Sequence, residues 1–122
     1  QATLDVVRNV RYDSAFTFIY SKRSGTPAAV MEDQVPEEVV KDRFNRLLKE
    51  VQDISAEVCA VHEGTIQTAL VECRNAHDEH LMTGRLSNNL LVHFPGDESL
   101  IGKLVDVSLD ECHGFYYIGK MI

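Results

Sequence analysis

The spacing of apolar residues changes at Gly64, and this change limits what the chain can fold into. Before Gly64, apolar residues recur at alternating steps of four and three, which is one face of an amphipathic helix: Val40, Phe44, Leu47, Val51, Ile54 and Val58. After Gly64, apolar and polar residues alternate, as Val105, Val107 and Leu109 do in "KLVDVSLDEC". Alternation of this kind is typical of half-buried strands. The sequence therefore predicts a helix followed by a β-rich unit.

The signals at the helix ends agree with this prediction. Pro36 suits the first helical position, where its missing N–H costs nothing, and Gly64 is a stop signal. Glu37 and Glu38 place negative charge in the first turn, near the positive end of the helix dipole. Four cations lie off the apolar stripe, and we expect them to form a solvated face rather than a phosphate site: Lys41, Arg43, Arg46 and Lys49.

The second half of the chain has short β-rich segments with no helix between them. These segments read "TIQTALVEC", "NLLVHF" and "KLVDVSLDEC", with turns at 95–97 and 113–114. Short strands at this spacing predict a small barrel or sandwich. A unit of this size is marginal by itself, so we expect it to pack against the preceding helix.

The first half begins with a second helical pattern, in which Leu4, Val7 and Val10 recur. The stretch that follows is almost continuously apolar from Ala15 to Tyr20, as in a strand buried on both faces. We therefore predict an α+β chain: a terminal α/β segment with a strand at 12–21, a connecting helix, and a small antiparallel β-barrel. The predicted domains are 1–62, including the connecting helix, and 63–122.

Charge and composition exclude several classes of protein. The net charge is −7, and residues 64–122 carry four Lys and Arg against eight Asp and Glu. This balance argues against indiscriminate binding to nucleic acid, so an RNA contact must come from a local cluster. No apolar run approaches membrane-spanning length, and we expect a cytoplasmic protein without membrane contact. The odd count of three cysteines predicts reduced thiols rather than a disulfide framework.

Three groups of residues are candidates for a functional site. Tyr20, Lys22 and Arg23 follow the predicted strand, at the carboxyl end where ligands of parallel α/β folds bind. The alternative is a solvated loop with a turn at 25–27. A second group combines one cation with two amides before a strand, and such side chains bind phosphate, sugar or base edges: Arg85, Asn88 and Asn89. Its alternative is an ordinary turn.

The third group is a possible zinc ligand set made of Cys and His side chains: Cys73, His77, His80, Cys112 and His113. Their spacing forms no standard zinc knuckle, and "RNAHDEH" is typical of a polar surface loop. No phosphate-binding loop or dinucleotide fingerprint is present, and no complete catalytic site follows from spacing.

Two long stretches resemble a known family. The end of the radical-SAM domain of tRNA methylthiotransferases resembles "RYDSAFTFIYSKRSGTPAAVMEDQVPEEVVKDRFNRLLKEVQDIS", and the TRAM domain that follows it resembles "LMTGRLSNNLLVHFPGDESLIGKLVDVSL". The segment "SAFTFIYSKRSGTPAA" is more similar to the branch of this family that acts on tRNA than to the branch that acts on a ribosomal protein. The resemblance covers nearly the whole chain, with both parts in the expected order.

The resemblance implies an activity for a longer protein of which this chain is the C-terminal part. Such an enzyme adds a methylthio group at C2 of N6-isopentenyladenosine 37 in tRNA. It uses S-adenosylmethionine and two [4Fe–4S] clusters, and we expect neither the cofactor nor the clusters on this chain. The cluster-binding cysteine motif is absent from this chain, because Cys59, Cys73 and Cys112 lack its spacing. The chain alone is therefore expected to be inactive.

The resemblance also implies roles for individual residues. Tyr20, Lys22 and Arg23 would lie at the rim of the substrate or cofactor pocket. The TRAM domain would be an OB-like barrel that binds the anticodon stem-loop, where Arg85 and Asn89 match the family pattern "GRT-x-x-N-R" and His93 falls in "VHF". Asn88 joins them as an expected RNA contact.

The sequence departs from the family pattern at three positions. Leu86 and Leu90 replace a Thr and an Arg, and Cys73 replaces a Gly. Together with the negative charge, these changes argue against strong RNA binding by the barrel alone. The negative charge and the absence of an active site favour a second hypothesis: a stand-alone RNA-binding or protein-interaction barrel without catalysis. We expect a monomer, with self-association through the apolar segment within 1–35 as the alternative.

Overall fold

The computed structural model describes residues 1–122 as two α-helices followed by a closed five-stranded barrel. Helix α1 spans Ala2–Val10 and α2 spans Glu37–Ala60, with a short 3-10 helix at Pro27–Val30 between them. The barrel strands are β1 (Ile66–Arg74), β2 (Leu81–Arg85), β3 (Leu91–Pro95), β4 (Leu104–Cys112) and β5 (Tyr116–Met121). The predicted α+β class and the small OB-like barrel are confirmed.

The barrel closes in the order β1-β2-β3-β5-β4, and β4 returns to pair with β1. Every pair is antiparallel except β3 with β5, which run parallel. The predicted small antiparallel barrel is therefore found, with the β3–β5 pair as its one parallel exception. The reason is geometric: five is an odd number, so directions cannot alternate all the way around a closed ring. One neighbouring pair must be parallel.

Alternate residues of each strand fill the inside of the barrel. Met82, Val92, Phe94, Leu109 and Tyr117 are fully buried there. Their strand neighbours point outward, because side chains alternate between the two faces of a strand. The sequence "KLVDVSLDEC" follows this rule, with Val107 and Leu109 inside.

Helix α2 connects the two halves of the chain. Its predicted apolar stripe packs on α1, where Val7, Val51 and Ile54 form a small buried cluster. Its last turn places Cys59 in the barrel core, as expected for a barrel that needs an adjoining helix. The off-stripe cations are exposed, and Lys41 and Arg46 pair only with carboxylates on their own helix. Neither helix is both long and apolar enough to cross a bilayer.

The predicted strand at 12–21 is wrong. Residues 14–23 form no regular secondary structure, and Phe16 and Phe18 are 86% and 83% exposed. A strand needs a partner edge to satisfy its backbone groups. The five barrel strands are all paired with one another, so none offers an edge to this segment. The adjoining helix α1 does pack, and Arg8 and Arg11 form ion pairs with Glu50 and Glu57 on α2.

Candidate nucleic-acid interface

The strand register aligns two rows of residues on the outer surface of the barrel. One row crosses β2, β3 and β5 as Arg85, Leu91 and Tyr116. The next row crosses β1, β2, β3 and β5 as Cys73, Thr83, His93 and Ile118. Neighbouring strands are about 4.8 Å apart, so Arg85 and Tyr116 start from backbones about 10 Å apart. Two of the predicted RNA contacts, Arg85 and His93, therefore share one surface.

Arg85 stands at the end of β2 and is fixed by two partners. Its Nε donates to the carboxylate of Glu72, and its Nη1 donates to the backbone oxygen of Asn89 at 3.0 Å. A third bond, at 3.2 Å, reaches Oδ1 of Asn89. The side chain is still 39% exposed, so part of the guanidinium faces solvent. The structure thus brings Arg85 and Asn89, two members of the second candidate group, into contact.

Asn88 and Asn89 shape the turn between β2 and β3. Asn89 adopts a left-handed backbone with φ 71°, a conformation that asparagine tolerates better than most residues. Oδ1 of Asn88 accepts from the backbone N–H of Leu90 at 3.0 Å. Leu86 and Leu90, which replace polar residues of the family pattern, are buried against the barrel core. The turn hypothesis for the two asparagines is therefore confirmed, and it leaves Asn89 exposed at the surface.

A groove of about 630 Å³ lies beside this surface. Its floor consists of outward-facing residues of β2 and β3, including Thr83, Leu91 and His93. The loop at 75–78 between β1 and β2 forms one wall, and Phe115 and Tyr116, where β4 turns into β5, form another. Sequence analysis did not predict this groove.

Aromatic rings cluster along the β4–β5 side of the groove. The rings of His113 and Tyr116 are stacked, with centroids 4.9 Å apart and planes 7° from parallel. Phe115 meets Tyr116 edge to face at 4.9 Å, and its side chain is 72% exposed. His93 lies 5.3 Å from Tyr116. Exposed aromatic faces of this kind are platforms on which flat rings stack.

His93 is held from the other side of the groove by Asn75 and Thr83. Its Nδ1 lies 3.0 Å from Nδ2 of Asn75 and 3.0 Å from Oγ1 of Thr83. Partial burial lowers the pKa of His93, and the neighbouring His77 lowers this pKa further. His93 is therefore neutral at neutral pH, and it offers a hydrogen-bonding group rather than a charge.

The first predicted group lies apart from this surface. Tyr20 and Lys22 border a shallow cavity of about 510 Å³, together with Glu37 and Val40 at the start of α2. Arg23 does not line this cavity, and its backbone oxygen accepts from the hydroxyl of Thr26 at 2.7 Å. The structure therefore brings Tyr20 and Lys22 together and leaves Arg23 in the adjoining turn.

The possible zinc ligands do not converge. No group of three His, Cys, Asp or Glu side chains is arranged to hold a metal ion. Cys73 is exposed and Cys112 is half-buried, while Nε2 of His113 lies 3.2 Å from the carboxylate of Glu111. The zinc hypothesis is therefore not supported by the geometry, and the same side chains do not fit an iron–sulfur cluster.

Two signals in the sequence point toward the groove residues that the prediction missed. Asn75 begins "NAHD", and Asn is a residue type that closes turns through its own side chain. Phe115 and Tyr116 follow the turn at Gly114, which places aromatic rings at a strand entrance. Neither signal shows that these residues meet His93, because that depends on the strand register.

A closed five-stranded barrel with a groove on its β2–β3 surface, flanked by the β1–β2 and β4–β5 connections, is OB-like. OB-like barrels bind oligonucleotides and oligosaccharides on this surface. A family model described as "TRAM domain" matches residues 60–122. The chain therefore belongs to the TRAM-domain family.

Curated relatives extend the similarity beyond the barrel. The chain is 61% identical over 120 residues to the tRNA-2-methylthio-N(6)-dimethylallyladenosine synthase of Lachnoclostridium phytofermentans. It is 52% identical over 121 residues to the synthase of the same name from Clostridioides difficile, and 49% identical over 122 residues to that of Alkaliphilus oremlandii. These matches cover 98% to 100% of the chain. The chain spans about a quarter of the length of these relatives, 25% to 26%.

Proposed function

We propose that the chain is the RNA-binding part of a cytoplasmic tRNA methylthiotransferase. The reaction is the addition of a methylthio group at C2 of N6-isopentenyladenosine 37, and the barrel binds the anticodon stem-loop. One observation carries this proposal: the similarity to enzymes named for this product continues through the helices, over 98% of the chain. A barrel shared by unrelated proteins would match only residues 60–122.

The proposed RNA contacts lie on the outer surface of β2 and β3. Arg85 binds phosphate, for which its partly exposed guanidinium is suited. Asn89 and Asn88 contact sugar or phosphate beside it, and His93 contacts a base. The surface supplies few positive charges, so this contact is local and contributes orientation more than affinity.

The proposed roles of the first half concern the rest of such an enzyme. Tyr20, Lys22 and Arg23 are proposed to lie at the rim of the substrate or cofactor pocket. S-adenosylmethionine and the two [4Fe–4S] clusters belong to the proposed whole enzyme. The side chains of this chain do not fit a cluster, so we assign no ligand and no chemical step to them. We place the boundary between the two domains at residues 62 and 63.

A chimera tests the proposed activity. The corresponding quarter of the L. phytofermentans synthase is replaced by this chain, and the modified nucleosides of tRNA are measured by mass spectrometry in cells lacking their own enzyme. We expect the chimera to produce the methylthiolated nucleoside. The matched control is the relative without this quarter, which we expect to lose most of the product.

A chimera that folds, carries its clusters and yet gives no product would overturn the proposed enzyme assignment. The hypothesis of a stand-alone RNA-binding or protein-interaction barrel would then replace it. Direct titration of the chain with an anticodon stem-loop separates the two parts of the proposal. Binding that perturbs residues 83–94 in NMR spectra supports the interface, whatever the chimera does.

A further inference from the structure

We propose that the groove binds one unpaired RNA base, which stacks on the exposed face of Phe115 beside Tyr116 and accepts a hydrogen bond from Nε2–H of His93. Asn75 is the positioning residue that keeps the proton of His93 on Nε2. This inference rests on the proposed RNA binding and adds to it the chemical group that the groove recognises.

The orientation of the Asn75 amide is fixed by its backbone neighbours. Its Oδ1 accepts from the N–H of His77 at 2.8 Å and from the N–H of Asp78 at 3.0 Å. Two donors meet this atom, so it must be the oxygen. The other end of the amide is therefore the NH₂ group, which only donates. Nδ1 of His93 lies opposite this NH₂ group and must accept.

An accepting Nδ1 determines the protonation state of His93. A neutral imidazole carries one proton, so when Nδ1 accepts, the proton is on Nε2. The hydroxyl of Thr83, 3.0 Å from Nδ1, also donates to it in this arrangement. A proton on Nδ1 would point at the two donor groups of Asn75 and Thr83, which disfavours the charged imidazolium. The pKa of His93 is lowered, as this arrangement leads one to expect.

The Nε2–H group of His93 is available to a ligand. Nε2 makes no hydrogen bond within the protein, and no buried side-chain nitrogen or oxygen lacks a partner. Nε2 is therefore accessible to solvent. His93 also lines the groove. A base that stacks on the aromatic wall therefore meets the Nε2–H of His93, and an acceptor atom on the edge of the base accepts its hydrogen bond.

The charges around the groove favour a base over a phosphate group. Arg74 is the one cationic side chain that lines it, and Arg74 is bound to Glu98 at 3.2 Å and to the backbone oxygen of Glu79. Asp78 adds a carboxylate. A phosphate would find no free cation here, whereas an uncharged base finds aromatic faces and one donor. The phosphates are left to Arg85, on the same outer surface.

The role of Asn75 is tested by the substitution Asn75→Asp. Aspartate keeps an oxygen for the two backbone donors and replaces the NH₂ group by an acceptor. We expect ¹⁵N-detected imidazole spectra to show Nε2–H for His93 in the unchanged protein. In N75D we expect a protonated Nδ1 and a raised pKa of His93. An unchanged His93 signal in N75D would overturn the positioning role, because a merely structural Asn75 would not move the proton.

The substitution also predicts a pH profile for RNA binding. In N75D the imidazolium present at low pH still donates from Nε2, but the neutral ring at high pH carries its proton on Nδ1. We expect the affinity of N75D for an anticodon stem-loop to fall about 2- to 10-fold as pH rises through the His93 transition. The affinity of the unchanged protein should stay level over the same range. Parallel profiles for the two proteins would contradict base reading by His93.

Stacking is tested with 2-aminopurine placed at unpaired positions of the stem-loop, because its fluorescence is quenched when it stacks. We expect quenching on binding, and a loss of quenching with about 5- to 100-fold weaker binding in Phe115→Ala. Phe16→Ala is the matched control, since Phe16 is another exposed phenylalanine outside the barrel, and it should leave both readouts unchanged.

The possible failures separate the groove from the proposed function. Undiminished binding by F115A with the quenching retained, together with weaker binding by Arg85→Ala, would overturn the base site and leave the RNA-binding function standing. Failure of the unchanged chain to bind any stem-loop would overturn both. Equal loss of binding in F16A and F115A would assign the aromatic effect to protein association rather than to a base, and would also overturn the base site.

Discussion

The phenol oxygen of Tyr117 lies 2.8 Å from the backbone carbonyl oxygen of Cys59, and this bond joins the barrel core to the last turn of α2. Both residues are almost fully buried. Burial is the main cause that raises the pKa of Tyr117 well above its ordinary value, and the nearby Cys59 raises this pKa further. The hydroxyl therefore remains a donor at every ordinary pH. The barrel and the helix are expected to unfold as one unit.

Tyr117→Phe removes this bond and keeps the ring. We expect the free energy of unfolding to fall by about 1 kcal/mol, the usual net worth of one hydrogen bond. Urea denaturation followed by circular dichroism measures the change. Tyr116→Phe is the matched control, because the hydroxyl of Tyr116 has no partner within the protein, and it should leave stability unchanged. Equal losses in both variants would contradict a specific role for the Tyr117 bond.

The stability of the fold should depend on pH through His93. The pKa of His93 is lowered in the folded state, mainly by burial and then by His77, whereas an unfolded histidine has a pKa near 6.5. Below about pH 6.5 the unfolded chain binds a proton that the folded chain does not bind. The contribution of His93 to stability is therefore fully present above about pH 6.5, and it is lost as pH decreases toward the lowered pKa of the folded-state His93.

Thermal unfolding of the unchanged protein and of His93→Gln, measured between about pH 5 and pH 7.5, checks this dependence. We expect the melting temperature of the unchanged protein to fall more steeply toward acid than that of H93Q. Parallel curves would show that His93 does not contribute to the pH dependence. His113→Gln is a suitable control because His113 lies on the exposed turn.

The exact fit of β5 beside β4 depends on Gly119. A Cβ atom at this position would lie 1.8 Å from the backbone oxygen of Ser108, which cannot move without breaking the strand. We expect Gly119→Ala to cost about 3 kcal/mol or more, or to prevent folding. At Gly84 the nearest atom to such a Cβ is the Cβ of Ala69, at 3.0 Å. Gly84→Ala should therefore lower the free energy of unfolding by less than Gly119→Ala does. If denaturation experiments show the smaller loss for G119A, the register of β4 and β5 is contradicted.

The two glycines also explain which strands the sequence could not predict. The strands rich in β-branched residues, β1, β3 and β4, have clear patterns, and so does helix α2. In β2 and β5, Gly84 and Gly119 interrupt that pattern, because close packing excludes a side chain there. The strand predicted at 12–21 failed for the opposite reason. Its pattern is strong, but pairing also needs an available neighbour.

The site was predictable only where its residues are close in sequence. Arg85 and Asn89 are four positions apart, and their contact follows from a single turn. Asn75 and His93 are 18 positions apart, and only the register of β1, β2 and β3 brings them together. Local patterns contain no information about that register, so the groove could not be predicted from them.

The exposed apolar segment should cause self-association at high protein concentration. Phe16 and Phe18 are almost fully exposed, and Tyr20 is 56% exposed beside them. Exposed apolar patches of this kind drive association. We expect sedimentation velocity to show a monomer at low concentration and larger species at high concentration. The double substitution Phe16→Ser with Phe18→Ser should remove the larger species, whereas Phe115→Ser, on the barrel, should not.

In the proposed interface, Glu72 would compete with RNA for Arg85. Its carboxylate accepts from Nε of Arg85, and both side chains are more than one third exposed. An exposed ion pair contributes about 0.2–1 kcal/mol, so phosphate can displace it at small cost. Glu72→Gln removes the competing charge and reduces the negative charge of the barrel. We expect E72Q to bind an anticodon stem-loop up to about 5-fold more tightly, with a steeper dependence on salt concentration.

Two further variants show whether this gain comes from Arg85. Asp110→Asn is the matched control, because Asp110 is an exposed carboxylate of β4 that forms no ion pair, and its loss changes net charge equally. The double variant Glu72→Gln with Arg85→Ala should lose the gain and return to the salt dependence of Arg85→Ala alone. If D110N strengthens binding as much as E72Q does, the effect comes from the overall charge of the barrel, and Arg85 is not the phosphate contact.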